Sequence, residues 1–205
     1  MEIKSLLGEL RQKRYFALER TAGRRTRILR ELLQELGSNN VRYTFLKPRS
    51  DGGGKSLSGR HGFGEFPLHS DGAHLNEPPD YILLMAPRTR TTPTLVADPI
   101  DLIDVESECA KQAIFSVQRQ GRRFNTHFIS SKNGVSFLRY NSDTMIPKNS
   151  AALEIQKRMR KLRNRAFQLH WSKFALLVLD NRSMLHGRAQ IKGTVSHMRR
   201  LEVRL

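Results

Sequence analysis

The stretch "FPLHSDGAH", residues 66–74, sets a histidine and an aspartate two positions apart, His69 and Asp71. On a strand these side chains share a face, because successive residues alternate across a sheet. An imidazole and a carboxylate on one face grip a common cation, and they equally make an ordinary hydrogen-bonded pair. A later histidine extends the first reading. In "LLVLDNRSMLHGR" (176–188) an apolar run passes through a polar turn to His186. His69, Asp71 and His186 together supply two imidazoles and one carboxylate, the donor set of non-heme Fe(II) oxygenases that leaves positions open on the metal. His74, five residues after His69 and beyond Gly72, reads as loop rather than ligand. Asp180 and Asn181 read as residues that shape the turn before His186.

Such residues meet only if distant strands are brought together, and the chain has suitable strands. "VRYTFL" (41–46), "YILLMA" (81–86), "TLVAD" (94–98), "VSFLRY" (135–140), "FALLVLD" (174–180) and "RRLEVRL" (199–205) are short, β-branched or aromatic, and bounded by turn residues. Residues 2–36 carry apolar side chains at helical spacing with a break near Gly23, and 100–113 and 150–168 also read as helices, the latter capped by Ser150. The expectation is a mainly β, α+β fold, an antiparallel sandwich or jelly roll with helices packed outside. We expect one domain over 1–205, with an N-terminal helical segment at 1–37 and a jelly-roll core with helical insertions at 41–205.

The glycine- and serine-rich loop between the first two strands contains "GGGKS". A phosphate-binding P-loop needs a further glycine where this chain has Arg49, and no helix-forming segment follows Ser56. A loop beside a site is the reading retained.

Composition narrows the class. Of 205 residues, 38% are hydrophobic and 27% charged, which fits neither a membrane protein nor a disordered chain. No apolar run approaches the roughly 20 residues that span a bilayer, and the charged N-terminus lacks the apolar stretch of a signal peptide. The single cysteine, Cys109, excludes an internal disulfide and a multi-cysteine zinc site, so the reducing cytoplasm is the expected compartment. The formal charge of +17 is concentrated in "RTAGRRTRILR" (20–30) and "KRMRKLRNR" (157–165). A field of that sign attracts nucleic acid, acidic surfaces or acidic proteins, and it also describes a solvated helix face. Neither run interleaves aromatics with its basic residues, as single-stranded nucleic acid binding favours.

Four blocks, "PLHSD", "TLVAD", "LDNRSMLHGR" and "RRLEVR", stand in the order and rough spacing of the Fe(II)/2-oxoglutarate dioxygenases of the taurine dioxygenase and clavaminate synthase type, which the chain resembles over 66–98 and 171–205. The resemblance implies a double-stranded β-helix with iron ligands at His69, Asp71 and His186. It implies that 2-oxoglutarate is held by Thr94 and by an arginine shortly after the last histidine. Arg200, fourteen residues after His186, fits that place. Strand alternation favours Arg200 over Arg199: Leu201, Val203 and Leu205 share one face, and Arg200, Glu202 and Arg204 the other. Arg204 would assist or contact substrate, and Arg188 would do likewise or form a structural ion pair. The chain departs from the family where "RTTPT" replaces a glycine pair and "WSKF" a proline-glycine-aspartate turn. The implied activity uses Fe(II), 2-oxoglutarate and O2 to hydroxylate an unactivated C–H bond of a small molecule, amino-acid-like or anionic, releasing succinate and CO2. Two other readings stand beside it: an oxygenase whose basic helices dock nucleic acid or an acidic protein, and a non-catalytic jelly-roll binding protein.

Overall fold

The computed structural model describes residues 3–20, 25–37, 40–47, 57–119, 121–132, 134–193 and 197–205. The "GGGKS" segment and part of the basic run 20–30 lie outside them. In chain order the elements are α1 (Ile3–Lys13), β1 (Tyr15–Glu19), α2 (Arg25–Glu35), β2 (Asn40–Leu46), α3 (Leu57–His61), β3 (Phe66–His69), β4 (Tyr81–Met85) and β5 (Thr94–Ala97). They continue with α4 (Glu108–Gln112), β6 (Ile114–Arg119), β7 (Arg122–His127), β8 (Ile129–Lys132), β9 (Val135–Leu138) and β10 (Met145–Pro147). The last are α5 (Ser150–Leu162), β11 (Phe167–Leu169), β12 (Phe174–Asp180), β13 (Leu185–Arg188) and β14 (Met198–Arg204).

Antiparallel pairing builds a major sheet in the order β1-β12-β4-β14-β2 and a minor sheet in the order β11-β5-β13-β3. The central strands β4 and β12 read as unbroken apolar runs because both their faces are covered. On one face Leu83, Leu176, Val178, Leu201 and Val203 meet Leu6 and Leu10 of α1 and Ile28 and Leu32 of α2. On the other, Ile82, Leu84, Leu177 and Leu179 meet Val96, Leu169 and Trp171 of the minor-sheet side. A third cluster packs Leu68, Leu95 and Leu185, from the outer face of the minor sheet, with Ile155, Met159 and Leu162 of α5 and Phe115 of β6. Each fully buried side chain of this kind contributes roughly 1.5–3 kcal/mol. The molecule is therefore mainly β, layered, with helices outside.

Four helical expectations are corrected, the first being that α3 follows Ser56 directly where no helix was expected. The segment 2–36 is two helices separated by β1, which pairs with β12. α1 ends at Arg14, which adopts φ +65° and whose carbonyl accepts from the Asp180 amide at 2.8 Å, while the break expected near Gly23 lies outside the described residues. Helix over 100–113 shrinks to a 3-10 turn at Pro99–Asp101 and the short α4, because Asp98, Asp104 and Ser107 hydrogen-bond nearby backbone and compete with a longer helix. The helix begun near 150 is capped by Asn149, whose Oδ1 accepts from the Ala152 amide, and it stops at Leu162 so that Phe167–Leu169 can pair with β5. The β6–β7 hairpin was not read from the sequence.

Candidate metal centre

His69 and His186 come together because β3 and β13 pair with these two residues directly opposite each other. β3 ends at His69, so strand alternation alone does not aim Asp71. Asn181 does. Its Oδ1 accepts from the Asp71 amide at 2.8 Å, and its Nδ2 donates to the Asp71 and Pro79 carbonyls at 3.0 and 2.7 Å. Beyond Asp71 the chain reverses at Gly72, whose φ is +70° and where a Cβ would stand 2.7 Å from Pro79 Cδ.

His69 Nδ1 lies 2.9 Å from the Pro67 carbonyl, which leaves Nε2 for a ligand. That Nε2 is 3.6 Å from Asp71 Oδ1, and His186 Nε2 is 3.7 Å from Asp71 Oδ2. The potential ligand atoms of the three residues lie within 4.8 Å of one another, and all three residues are buried. Asp71 Oδ2 is fully enclosed and has no hydrogen-bond partner. An orphaned carboxylate oxygen in such a place is costly unless a cation completes it, so the residues fit a metal ion. Burial pushes the Asp71 carboxyl up, but the Arg200 charge, His69 and His186 outweigh it and hold the group far below the ordinary carboxylate range. His186 is pushed down to about 3 by burial and by His69, opposed by Asp71, which keeps it neutral as a metal ligand must be.

A cavity of about 100 Å³ adjoins the two histidines, lined on its polar side by Thr94, Arg90, Arg188 and Arg200. Thr94 opens β5, opposite Arg188 on β13, and its Oγ1 accepts from Trp171 Nε1 at 3.0 Å. Arg200 points inward from β14, while Leu201 and Val203 pack against the helices and Arg199 is exposed above the Phe45 ring. The Arg200 fork joins two acids, Asp71 Oδ1 through Nη1 and Glu202 Oε1 through Nη2, both at 2.8 Å. Arg204 does not reach this cavity. It borders a separate one of about 370 Å³ and lies 3.8 Å from Glu202. Arg188 donates to the Gly62 and Gly64 carbonyls and forms no ion pair among the described residues. His74 stays outside the cluster and faces Arg119 Nη1 at 3.1 Å, and His197 is exposed.

No protein-family model and no curated protein matches the sequence. Solved structures do match the fold. An asparagine oxygenase in complex with Fe(II), 2S,3S-3-hydroxyasparagine and succinate superposes with TM-score 0.64 at 16% identity, over 78% of this chain and 56% of that one. The fold is that of the non-heme iron oxygenases. The oxygenase OrfP, in complex with Fe, succinate and (3S)-hydroxy-L-Arg, matches with TM-score 0.64 at 14% identity, over 87% of this chain and 64% of that one. The PvcB protein from Pseudomonas aeruginosa matches with TM-score 0.62 at 19% identity, over 99% of this chain and 80% of that one. The chain thus spans little more than half the length of the asparagine oxygenase. Among the described residues no helix is long and apolar enough to cross a membrane.

Sequence reasoning missed three residues around the site. Asn181 stood as a turn residue, although it holds the Asp71 backbone. Arg119, from β6, comes within electrostatic reach of Asp71 and Arg200. Arg90, in the β4–β5 connection, is buried at the cavity. Only the unusual density of arginine in "PRTRTTPT" signalled the last, and a lone arginine carries no spacing by which to place it.

Proposed function

We propose that the chain is an Fe(II)- and 2-oxoglutarate-dependent oxygenase that hydroxylates an unactivated C–H bond of a small, amino-acid-like or anionic molecule. The observation that supports this reading is the convergence of His69 Nε2, His186 Nε2 and an unpartnered Asp71 oxygen inside a fold shared with iron oxygenases. Two imidazoles and one carboxylate would hold Fe(II) while leaving positions open for cosubstrate and dioxygen. When bound, Fe(II) would activate dioxygen, the oxidant, which takes two electrons from 2-oxoglutarate, leaving succinate and CO2, and two from the substrate C–H bond, leaving C–OH. The strands close around the site as a double-stranded β-helix.

The residues of the chain bind, orient and exclude water. His69, Asp71 and His186 hold the metal. Thr94 and Arg200 take the far carboxylate of 2-oxoglutarate, the arginine through its planar fork. Arg200 must loosen its hold on Asp71 or Glu202 to do so, and a cation on Asp71 weakens the first of those pairs. Arg119, within electrostatic reach of Asp71 and Arg200, is the substrate-side cation, and Arg204, which borders a separate cavity, is not. Free amino acids are the first candidates, a choice supported by the asparagine and arginine derivatives bound by the matching oxygenases. Adding Fe(II) and 2-oxoglutarate under argon should give the visible charge-transfer band of the chelated metal, and amino acids should then be screened in air for succinate release. A protein that gives no band and no succinate with any substrate is not this enzyme.

A further inference from the structure

Arg90 is a buried cation that the fold does not compensate. The residue is 7% exposed, its Nε is enclosed without a hydrogen-bond partner, and no ion pair to it exists among the described residues. The Nε atoms of Arg139, Arg188 and Arg200 are likewise enclosed and unpartnered, but the terminal nitrogens of those guanidiniums are answered. Arg139, at 4% exposure, donates to the Leu75 and Asn76 carbonyls at 2.8 and 3.1 Å. Arg200 has Asp71 and Glu202, and Arg188 has two glycine carbonyls. Arg90 has instead a second positive charge within reach, that of Arg188. Burial, and then Arg188, push its pKa down to about 10, which still leaves it charged at neutral pH. An uncompensated buried charge is costly. Its side chain borders the same cavity as Thr94, Arg200 and the two histidines. Among the described residues that cavity is lined by three arginines and no acid, which suits an anion with more than one negative charge.

We infer that Arg90 is a carboxylate-binding residue of this cavity, a second guanidinium, in addition to Arg200, that grips the far carboxylate of the dicarboxylate cosubstrate. The inference rests on the reading of the cavity as a 2-oxoglutarate site. It assigns the β4–β5 connection a part in cosubstrate binding and makes Arg90 the arm that is unengaged before binding, since Arg200 is held by two acids.

The test compares wild type with Arg90→Met, Arg90→Lys and, as a control, Arg88→Gln on the exposed part of the same connection. 2-Oxoglutarate is titrated into each Fe(II) protein under argon, following the charge-transfer band, and melting temperatures are taken without metal or dicarboxylate. Losing one charge-assisted hydrogen-bonding group should weaken 2-oxoglutarate binding ten- to over a hundredfold in Arg90→Met, with Arg90→Lys in between and Arg88→Gln unchanged. Empty Arg90→Met should melt no lower than wild type, because it removes a charge that nothing compensates; a structural arginine would give a lower melting temperature. Wild-type affinity in Arg90→Met, or a clear loss of melting temperature in the empty variant, overturns the inference. Should Arg90→Met be insoluble, Arg90→Lys carries the test, and wild-type affinity there is equally fatal. If wild type itself fails to bind 2-oxoglutarate, the functional reading fails and this inference with it. If wild type binds normally and only the Arg90 variants are indifferent, the functional reading stands.

Discussion

Gly187 separates His186 from Arg188 at the point where the pairing of β13 with β3 becomes irregular. A Cβ built there would stand 2.6 Å from the Phe66 carbonyl oxygen and 3.1 Å from the carbonyl of Pro67. Both obstacles are backbone, so no side chain can rotate away. Ordinary contact begins near 3.4 Å, and Gly187→Ala must therefore part the two strands by about 0.8 Å. Those strands carry His69 and His186, and a metal or catalytic constellation tolerates displacements of only about 0.5 Å. Overpacking of this kind costs about 1–3 kcal/mol, or roughly 2–12 °C in melting temperature for a domain of this size. The more diagnostic effect is on the metal: Gly187→Ala should bind Fe(II) at least tenfold more weakly, comparable with disturbing the groups that orient a ligand. Calorimetric titration of Fe(II) under argon, beside thermal melts of the metal-free protein, measures both. A variant with wild-type metal affinity and an unchanged melting temperature would refute the argument that close apposition of β3 and β13 sets the site.

His69→Ala, Asp71→Ala and His186→Ala should each abolish metal binding and 2-oxoglutarate turnover, whereas His74→Ala should retain metal binding; equal damage from His74→Ala in a metal titration would mean the wrong histidine has been chosen. Arg200→Ala should weaken 2-oxoglutarate binding ten- to over a hundredfold and Arg200→Lys somewhat less, while Arg199→Gln should leave it unchanged in the same anaerobic titration. The α5 run is exposed, with Arg158 paired to Glu154 and Arg163 to Glu65. Replacing Lys157, Arg158, Arg160 and Lys161 by glutamine should therefore preserve metal binding and uncoupled 2-oxoglutarate decarboxylation. A fall in coupled turnover, measured as succinate released with substrate, would identify a macromolecular anion docked there.

The parts of this molecule that were legible from sequence are those whose signal is local. β4 and β12 announce themselves because a strand buried on both faces must be apolar throughout, and β14 because Leu201 and Val203 alternate with Arg200 and Glu202. The same alternation distinguishes Arg200 from Arg199 without any knowledge of their surroundings. β1 was not legible. "YFALE" follows α1 without a glycine or proline, and its strand conformation depends on pairing with β12, some 160 residues away. Arg14, at φ +65°, marks the turn, but arginine is not a residue that advertises a left-handed backbone.

The site divides along the same line. His69, Asp71 and His186 are visible as donors because their chemistry is specific and two of them are close in sequence. What aims them is not visible. A strand continued through Asp71 would have placed it on the His69 face by alternation, yet β3 stops at His69 and the aspartate is held by Asn181, 110 residues on. Asn181 is therefore the residue whose loss should misplace a ligand without removing one. Asn181→Ala should keep all three donors yet weaken Fe(II) binding by ten- to a hundredfold, the range found when an outer partner of a ligand is removed. It should also destabilise the fold by about 1–3 kcal/mol, because the buried Asp71 amide and the Asp71 and Pro79 carbonyls lose their partner. Asn181→Asp keeps the acceptor for the Asp71 amide but sets a carboxylate against two carbonyls, so it should be no better. A calorimetric Fe(II) titration in which Asn181→Ala matches wild type would show that the ligand cluster is held by β3 and β13 alone.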